Sequence, residues 1–325
     1  MSKVTVIGGG AWGSALASVL AGQDHDVTVL VRRQDMADAL MKGISPRLDN
    51  QPITAPRLAT TDAAKALTGA DAVLVVVPVA ATSDALILIK KHAPSGAMVA
   101  LTAKGLDAET GALQTELADQ HLGRDIVMLC GPSFADETAA NKPCCLVAAS
   151  QNPELAQGVA GLFHASTVRV YTSNDPIGVA VASSTKNVIA IAAGITAALG
   201  LGDNARAALI VRGLAESTRL ALALGGQQQT LFGLAGVGDM ILTCTDTHSR
   251  NYSYGAALGS GQAPGAVLAE GARSAASLAR RAESIGVETP IISAINRVVN
   301  DGADIKIEIQ GLLARPVDQE WIKTD

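Results

Sequence analysis

The sequence predicts a doubly wound α/β domain with a mainly parallel sheet, followed by an all-α domain. Short β-branched runs alternate with helix-like stretches through the first half of the chain, the signature of strand–helix–strand units. Beyond about Asp175 long runs rich in Ala, Leu and Gly take over, with few β-branched segments. Hydrophobic residues make up 48% of the chain but aromatic ones only 2%. Packing must therefore rest on Ala, Val, Leu and Ile, which suits close-set helices and a sheet buried on both faces. At 325 residues the chain exceeds one small core. Residues 1–173 are expected to form the first domain and 174–325 the second.

The predicted strands are Val4–Ile7, Val27–Val31, Ala72–Val77, Met98–Leu101 and Ile126–Cys130, with Val168–Tyr171 as a closing strand. Ala11–Ala21 and Ala80–Lys91 read as helices between them. In the second half Ala205–Leu224 and Ala272–Ile285 read as helices, and Gly200, Gly225-Gly226, Gly259 and Gly261 as their ends or turns. Ile177–Leu201 is almost wholly apolar or small, yet Lys186 and Asn187 lie near its middle. A charge there is costly in lipid, so the segment is read as a buried helix with no membrane insertion.

The formal net charge of −5 argues against nucleic-acid binding while leaving room for a local basic pocket. Cys130, Cys144, Cys145 and Cys244 form no CxxC pair and have no zinc-ligand spacing, so no metal is expected. They read as small buried thiols of a reducing cytoplasm. The first strand begins by Val4, which leaves no room for a signal peptide.

Val4-Thr5-Val6-Ile7 runs into Gly8-Gly9-Gly10-Ala11-Trp12-Gly13, matching G-x-G-x-x-G. In such a turn Gly8 permits the tight exit from the strand, Gly10 lets the backbone approach a pyrophosphate, and Gly13 lets the helix pack close. The phosphates then meet free N–H groups and the positive end of the helix dipole. Alone the motif is weak. The strand before it, the Ala-rich helix after it and a second strand about twenty residues on give it the context of a Rossmann-type dinucleotide site. An NAD site usually ends that second strand in Asp or Glu; here Arg32 and Arg33 follow Val31. Two guanidiniums suit a 2′-phosphate, so NADP is expected to serve at least as well as NAD. The bland alternative is a solvated basic strand end.

Lys104 follows Met98–Leu101 closely, and Gly131-Pro132-Ser133-Phe134 follows the next strand. Both stand where open α/β sheets place ligands. Lys186 is the sharper candidate. A buried lysine loses solvation, its pKa falls, and it becomes an acid/base near neutrality; the alternative is a lysine that snorkels to the surface. Asp239 follows Leu234-Ala235-Gly236-Val237-Gly238, read as a flexible turn able to bring a carboxylate beside Lys186. Thr243 would stand one helical turn on. Ser249-Arg250-Asn251 offers a hydroxyl, a guanidinium and an amide, a set suited to phosphate but also common on loops. His248 adjoins it and reads as a solvated loop residue.

These residues, in this order, resemble the bacterial NAD(P)-dependent glycerol-3-phosphate dehydrogenases. The resemblance runs from Gly8–Ala17 through Ala103-Lys104-Gly105, Gly131–Ala135, Thr185–Ala190 and Gly200–Ala205. It continues through Gly213–Glu216, Gly236–Asp239, Leu242–Thr245, Ser249-Arg250-Asn251 and Ala269-Glu270-Gly271. It implies that Lys186 is the proton acceptor for glycerol 3-phosphate oxidation and the donor in reverse. Lys104, Gly131, Ser133, Lys186, Asp239, Ser249, Arg250 and Asn251 would bind the triose phosphate. Gly8, Gly10, Ala11, Trp12, Gly13, Arg32, Arg33, Lys104, Ala135, Arg250 and Glu270 would line a dissociable NADP or NAD. It further implies a cytoplasmic homodimer that supplies glycerol 3-phosphate for phospholipid synthesis.

Three segments depart from the family pattern: Ser183-Ser184-Thr185 ahead of Lys186, the paired thiols in Pro143-Cys144-Cys145, and Asp246-Thr247-His248. Two other readings stay open on the sequence. One is a related dehydrogenase of a hydroxy acid or sugar acid; the other is a non-catalytic dinucleotide sensor, which would have little use for a buried lysine beside a carboxylate.

Overall fold

The structure, a computed structural model, describes residues 1–263 and 269–316. Its contacts divide the chain into two units. Unit 1 comprises Met1–Ala103 and Gln114–Pro176; unit 2 comprises Lys104–Leu113 and Ile177–Asp325. A single cut near residue 173 therefore misses the Lys104–Leu113 segment, which belongs with the helices.

Unit 1 is built on ten strands: β1 (Lys3–Ile7), β2 (Asp26–Leu30), β3 (Ile44–Ser45), β4 (Gln51–Pro52), β5 (Leu58–Thr60), β6 (Ala72–Val75), β7 (Met98–Leu101), β8 (Val127–Cys130), β9 (Cys144–Ala149) and β10 (Val168–Ser173). Eight form one sheet in the order β10-β9-β8-β7-β6-β1-β2-β5, while β3 and β4 form a separate antiparallel pair. Every neighbour in the large sheet is parallel except β8 and β9. The chain steps outward from β1 to β2 and β5, then returns to the other side of β1 at β6. That reversal puts a topological switch point, the usual ligand crevice of an open α/β sheet, at the carboxyl ends of β1 and β6. Val4, Val6, Val27, Val29 and Leu74 pack with Leu16 and Leu20 of the Ala11–Ala21 helix in the main core.

The six expected strands all appear, within a few residues of their ends. The sequence reading misses β9, β5 and the β3–β4 pair. Within Cys-Cys-Leu-Val-Ala-Ala, β9 has one β-branched residue, so pairing to β8 and β10 rather than intrinsic preference makes it a strand. The expected Ala80–Lys91 helix opens with a 3₁₀ turn at Val79–Ala81 and continues as Thr82–His92.

Among the described residues of unit 2 Lys104–Leu113 is a loop, and the regular elements are all helices. Its main helices are Pro176–Ala198, Asp203–Ala223, Arg250–Gly259, Glu270–Ser284, Pro290–Asn300 and Ile305–Leu313. The first is the apolar stretch noted above, and its most apolar window is 94% buried. Small residues let it be crossed closely. A Cβ on Gly194 would stand 2.0 Å from the Tyr252 carbonyl oxygen, and one on Gly255 2.0 Å from that of Ile191. The two backbones thus touch with no side chain between them, which fixes where the Arg250–Gly259 helix begins relative to Lys186.

The Ser183-Ser184-Thr185 departure is accommodated within the same helix. Ser183 and Ser184 donate to the Ala180 carbonyl, and Thr185 to that of Val181, at 3.1, 2.7 and 3.0 Å. Buried hydroxyls satisfied on their own helix cost little, so a polar run survives inside an apolar unit.

Candidate active site

The glycine turn occupies the switch point of unit 1. Gly8 has φ of +116°, and a Cβ there would lie 2.2 Å from the Val76 carbonyl oxygen. A Cβ on Gly13 would lie 1.9 Å from the Gly8 oxygen, so helix and strand close directly on each other. Gly10 differs: no heavy atom lies within 4 Å of the place its Cβ would take. Two glycines are thus demanded by the protein's own packing, whereas Gly10 leaves open space at the N-terminus of the Ala11–Ala21 helix. Residues of this kind fit a dinucleotide pyrophosphate, which needs close backbone approach and free N–H groups.

Other residues assigned to the dinucleotide gather in unit 1. Ala11, Trp12 and Ala135 pack against one small cluster around Ala15, Leu48 and Ala139. Arg32 and Arg33 are both exposed just past β2. Arg33 donates from Nε to Asp35 Oδ1 at 2.8 Å and from its outer nitrogen to Oδ2, so it is already paired. Gly131, just past β8, has φ of +157° and passes so close to β9 that a Cβ would meet the Cys145 oxygen at 2.6 Å. Ser133 Oγ donates back to the Gly131 carbonyl at 3.2 Å. Cys130 and Cys244 are buried, but Cys144 and Cys145 are half-buried, against the expectation of four buried thiols. As the first residues of β9 they stand at the strand's less enclosed end.

In unit 2 one carboxylate serves two lysines. Asp239 Oδ1 is 2.5 Å from Lys186 Nζ, and Oδ2 is 3.0 Å from Lys104 Nζ. Lys186 is 4% exposed and Asp239 1%. Lys186 also donates to Thr243 Oγ1 at 2.9 Å, and Thr243 gives its own proton to the Asp239 main-chain oxygen at 2.6 Å. The hydroxyl proton being committed, Thr243 can only accept from the lysine.

Asp239 does not follow a flexible turn. Leu234–Gly238 is a π-helical turn that runs straight into the Asp239–Thr245 helix. Gly236 packs so tightly that a Cβ would fall 2.0 Å from the Leu231 oxygen. Such insertions in a helix are frequent at functional sites because they re-aim the side chains that follow.

Burial lowers the Lys186 pKa from its ordinary value to about 8; Asp239 pulls it up and Lys104 pushes it down. Burial alone would raise the Asp239 carboxyl, but the two ammoniums outweigh it and hold the group below the usual carboxylate range. With both lysines charged, the trio carries one net positive charge. Lys186 near pH 8 exchanges a proton readily, and the surplus charge favours an anion nearby.

The Ser249-Arg250-Asn251 trio is not presented as a row. Ser249 caps the Arg250–Gly259 helix, accepting from the Tyr252 N–H at 3.3 Å. Asn251 is turned inward: its amide donates to Asn187 Oδ1 at 2.9 Å and its oxygen accepts from the Gly271 N–H at 2.9 Å. Asn187 in turn donates to the Lys104 carbonyl at 3.4 Å. Arg250 alone is exposed. Glu270, half-buried, opens the next helix. The chain of amides ties Lys104 to the starts of the helices that carry Arg250 and Glu270.

Sequence reasoning found Lys186, Asp239 and Lys104. Thr243 it placed one turn past Asp239 without a role, and Asn187 it left as a neighbour of Lys186. The i, i+4 spacing of Asp239 and Thr243 was the available signal for the first; nothing local marks Asn187.

A glycine turn at a sheet switch point, with a helical unit holding a buried lysine near neutrality, defines a two-unit oxidoreductase of the Rossmann class. Residues 3–156 match the family model for the N-terminus of NAD-dependent glycerol-3-phosphate dehydrogenase, and residues 175–310 match that for its C-terminus. The chain belongs to the NAD-dependent glycerol-3-phosphate dehydrogenase family. It is 40% identical over 321 residues to the glycerol-3-phosphate dehydrogenase (NAD(P)+) of Mesorhizobium japonicum, covering 98% of this chain and 94% of that protein. It is 42% identical over 325 residues to the enzyme of the same description from Pseudoalteromonas translucida, covering 97% of each. The crystal structure of the Coxiella burnetii glycerol-3-phosphate dehydrogenase superimposes with a TM-score of 0.91 at 36% identity, covering 97% of this chain and 99% of that one.

Proposed function

We propose that this chain interconverts dihydroxyacetone phosphate and sn-glycerol 3-phosphate with NAD(P)(H), and that Lys186 is its acid/base. The bound dinucleotide supplies the hydride for reduction or takes it up in oxidation. Reduction of the ketone needs one proton at the carbonyl oxygen as the hydride arrives at carbon, and oxidation needs one removed. Lys186 carries out both halves: the ammonium donates and the neutral amine accepts. The observation that carries this reading is the Lys186–Asp239–Lys104 trio, whose carboxylate holds Lys186 in place while burial brings its pKa to about 8.

The same trio supports a phosphorylated substrate, since its surplus positive charge and the exposed Arg250 guanidinium suit a phosphate ester. Ser249, Asn251, Gly131 and Ser133 keep the triose-binding roles that the family resemblance gives them. Gly8, Gly10, Ala11, Trp12, Gly13, Arg32, Arg33, Lys104, Ala135, Arg250 and Glu270 keep theirs toward the dinucleotide, with NADP used at least as well as NAD. The reading extends to a cytoplasmic homodimer whose product feeds phospholipid synthesis. Four free cysteines fit a reducing compartment, and exposed Leu201 and Val211 offer apolar surface for a second copy.

The test is turnover. Dihydroxyacetone phosphate should drive loss of reduced-nicotinamide absorbance with NADPH or NADH, and Lys186→Ala should abolish it while dinucleotide binding persists. In the ligand-free enzyme, kcat/KM for reduction should fall above about pH 8, where Lys186 loses its proton, and that for oxidation should rise through the same pH. Dinucleotide binding without turnover of this substrate would refute the assignment.

A further inference from the structure

The stretch after β2 holds a charged group of unexpected sign. Arg33 occupies the position just before the Gln34–Met41 helix without capping it through its side chain, and Asp35 stands in that helix's first turn. The Arg33 guanidinium bonds both Asp35 oxygens, Nε to Oδ1 at 2.8 Å and the outer nitrogen to Oδ2, a two-bond fork. Arg32 makes no ion pair among the described residues. Two adjacent arginines are therefore unequal: one is unpaired and one is committed.

We propose that Asp35 is a specificity-determining residue, which withdraws Arg33 from the 2′-phosphate of NADP and so keeps NAD competitive. This rests on the reading that Arg32 and Arg33 meet the adenosine ribose. A fork occupies the planar edge of a guanidinium that best matches a phosphate, so Arg33 must break its bonds to Asp35 before offering the same edge elsewhere. The carboxylate also carries a charge that repels a 2′-phosphate but accepts a hydrogen bond from a 2′-hydroxyl. Asp35 thus acts with opposite signs on the two cofactors. Its place near a helix N-terminus favours the charged form, and the hydrogen bond from Arg33, ahead of the direct charge attraction, holds its carboxyl below the ordinary range. It is therefore an anion at every pH at which the enzyme would be assayed.

The effect is bounded by exposure. Arg33 and Asp35 are 68% and 63% exposed, so solvent and salt screen the pair. A surface pair of this kind supports a change of about two- to fivefold. Neither side chain belongs to a core, and the variants should fold as the parent does.

The experiment compares kcat/KM for NADPH and NADH, at low and high salt, in the parent, Asp35→Asn, Arg33→Ala and the double variant. Asp35→Asn should raise the NADPH-to-NADH ratio about two- to fivefold, less at high salt. The gain should shrink in the Arg33→Ala background, because Asp35 then has no guanidinium to release and only its own charge is left to act. An unchanged ratio in Asp35→Asn, with a lowered ratio in Arg33→Ala, overturns the role of Asp35 and leaves the ribose reading intact. A full gain that persists without Arg33 also overturns it, since Asp35 would then act by its charge alone. If Arg32→Ala and Arg33→Ala both leave the ratio unchanged, the ribose reading falls and the proposal falls with it.

Discussion

The two units differ in how they assemble the groups proposed to bind ligands. In unit 1 the groups proposed for the pyrophosphate are main-chain N–H donors, and the residues that would expose them, Gly8 to Gly13, are contiguous. In unit 2 they are side chains drawn from far apart: Lys104 and Asp239 are 135 positions apart in the chain, and Lys186 and Thr243 are 57 apart. A site made of backbone is damaged by adding atoms. One made of paired charges is damaged by removing one. Substitutions in each unit can break or sharpen that contrast.

After the loss of turnover in Lys186→Ala, the largest effect should come from Asp239→Asn. It keeps the shape but removes the anion that pairs with both ammoniums. Asp239 raises the Lys186 pKa, so its loss should send that pKa below about 8, with Lys104 pushing the same way. The alkaline limb of the reduction profile should move to lower pH. Turnover of dihydroxyacetone phosphate should fall about a hundredfold or more, the range of a lost acid/base. Thermal stability should fall as well, because breaking a buried pair costs about 3–5 kcal/mol. A limb that stays near pH 8 would show that Asp239 does not govern Lys186.

Smaller losses should follow in the glycine turn, and they should separate by position. Gly13→Ala puts a methyl 1.9 Å from the Gly8 oxygen, so the helix must move off the strand. Melting temperature should drop, in keeping with about 1–3 kcal/mol for overpacking, and dinucleotide affinity should drop with it. Gly10→Ala meets no protein atom within 4 Å. Its melting temperature should hold while the NADPH dissociation constant, read by fluorescence titration, rises about tenfold, one blocked approach to the pyrophosphate. Equal affinity in Gly10→Ala and the parent would show that the pyrophosphate is not held there.

The same contrast explains what the sequence discloses. G-x-G-x-x-G is local, so its strand, turn and helix could be placed closely; Ala11–Ala21 runs as expected to the residue. The alternation of β1, β6 and β7 with helices is also plain, because strands of a parallel sheet buried on both faces read as near-continuous apolar runs. β9 was hidden: its Cys144-Cys145-Leu146 start acquires strand form only by pairing with β8 and β10. Lys186 stood out as a charge in an apolar run. Asn187 did not, since its meaning depends on Asn251 and Lys104, residues that only tertiary packing brings to it. The flexible turn expected before Asp239 was wrong for a related reason. Glycines at 236 and 238 look like looseness in one dimension, while Gly236 is there because Leu231 leaves no room for a side chain.

Arg250 tests whether charge can act in unit 2 without being built into its interior, at no cost to stability. Of Ser249-Arg250-Asn251, two members also hold structure, Ser249 as a cap and Asn251 on Asn187 and Gly271. Arg250 is exposed, at the first position of a helix whose N-terminus already favours anions. Removing its guanidinium should cost the fold nothing and the phosphate one charge-assisted contact. Arg250→Ala should raise KM for dihydroxyacetone phosphate about tenfold or more, as about 1.5–3 kcal/mol implies, with an unchanged melting temperature. Asn251→Ala should show the reverse order, losing stability first, because it strands the Gly271 N–H and the Asn187 oxygen in the interior. If Arg250→Ala leaves KM unchanged, phosphate recognition in this unit must come from its interior groups, and the contrast between an exposed and an interior charge disappears.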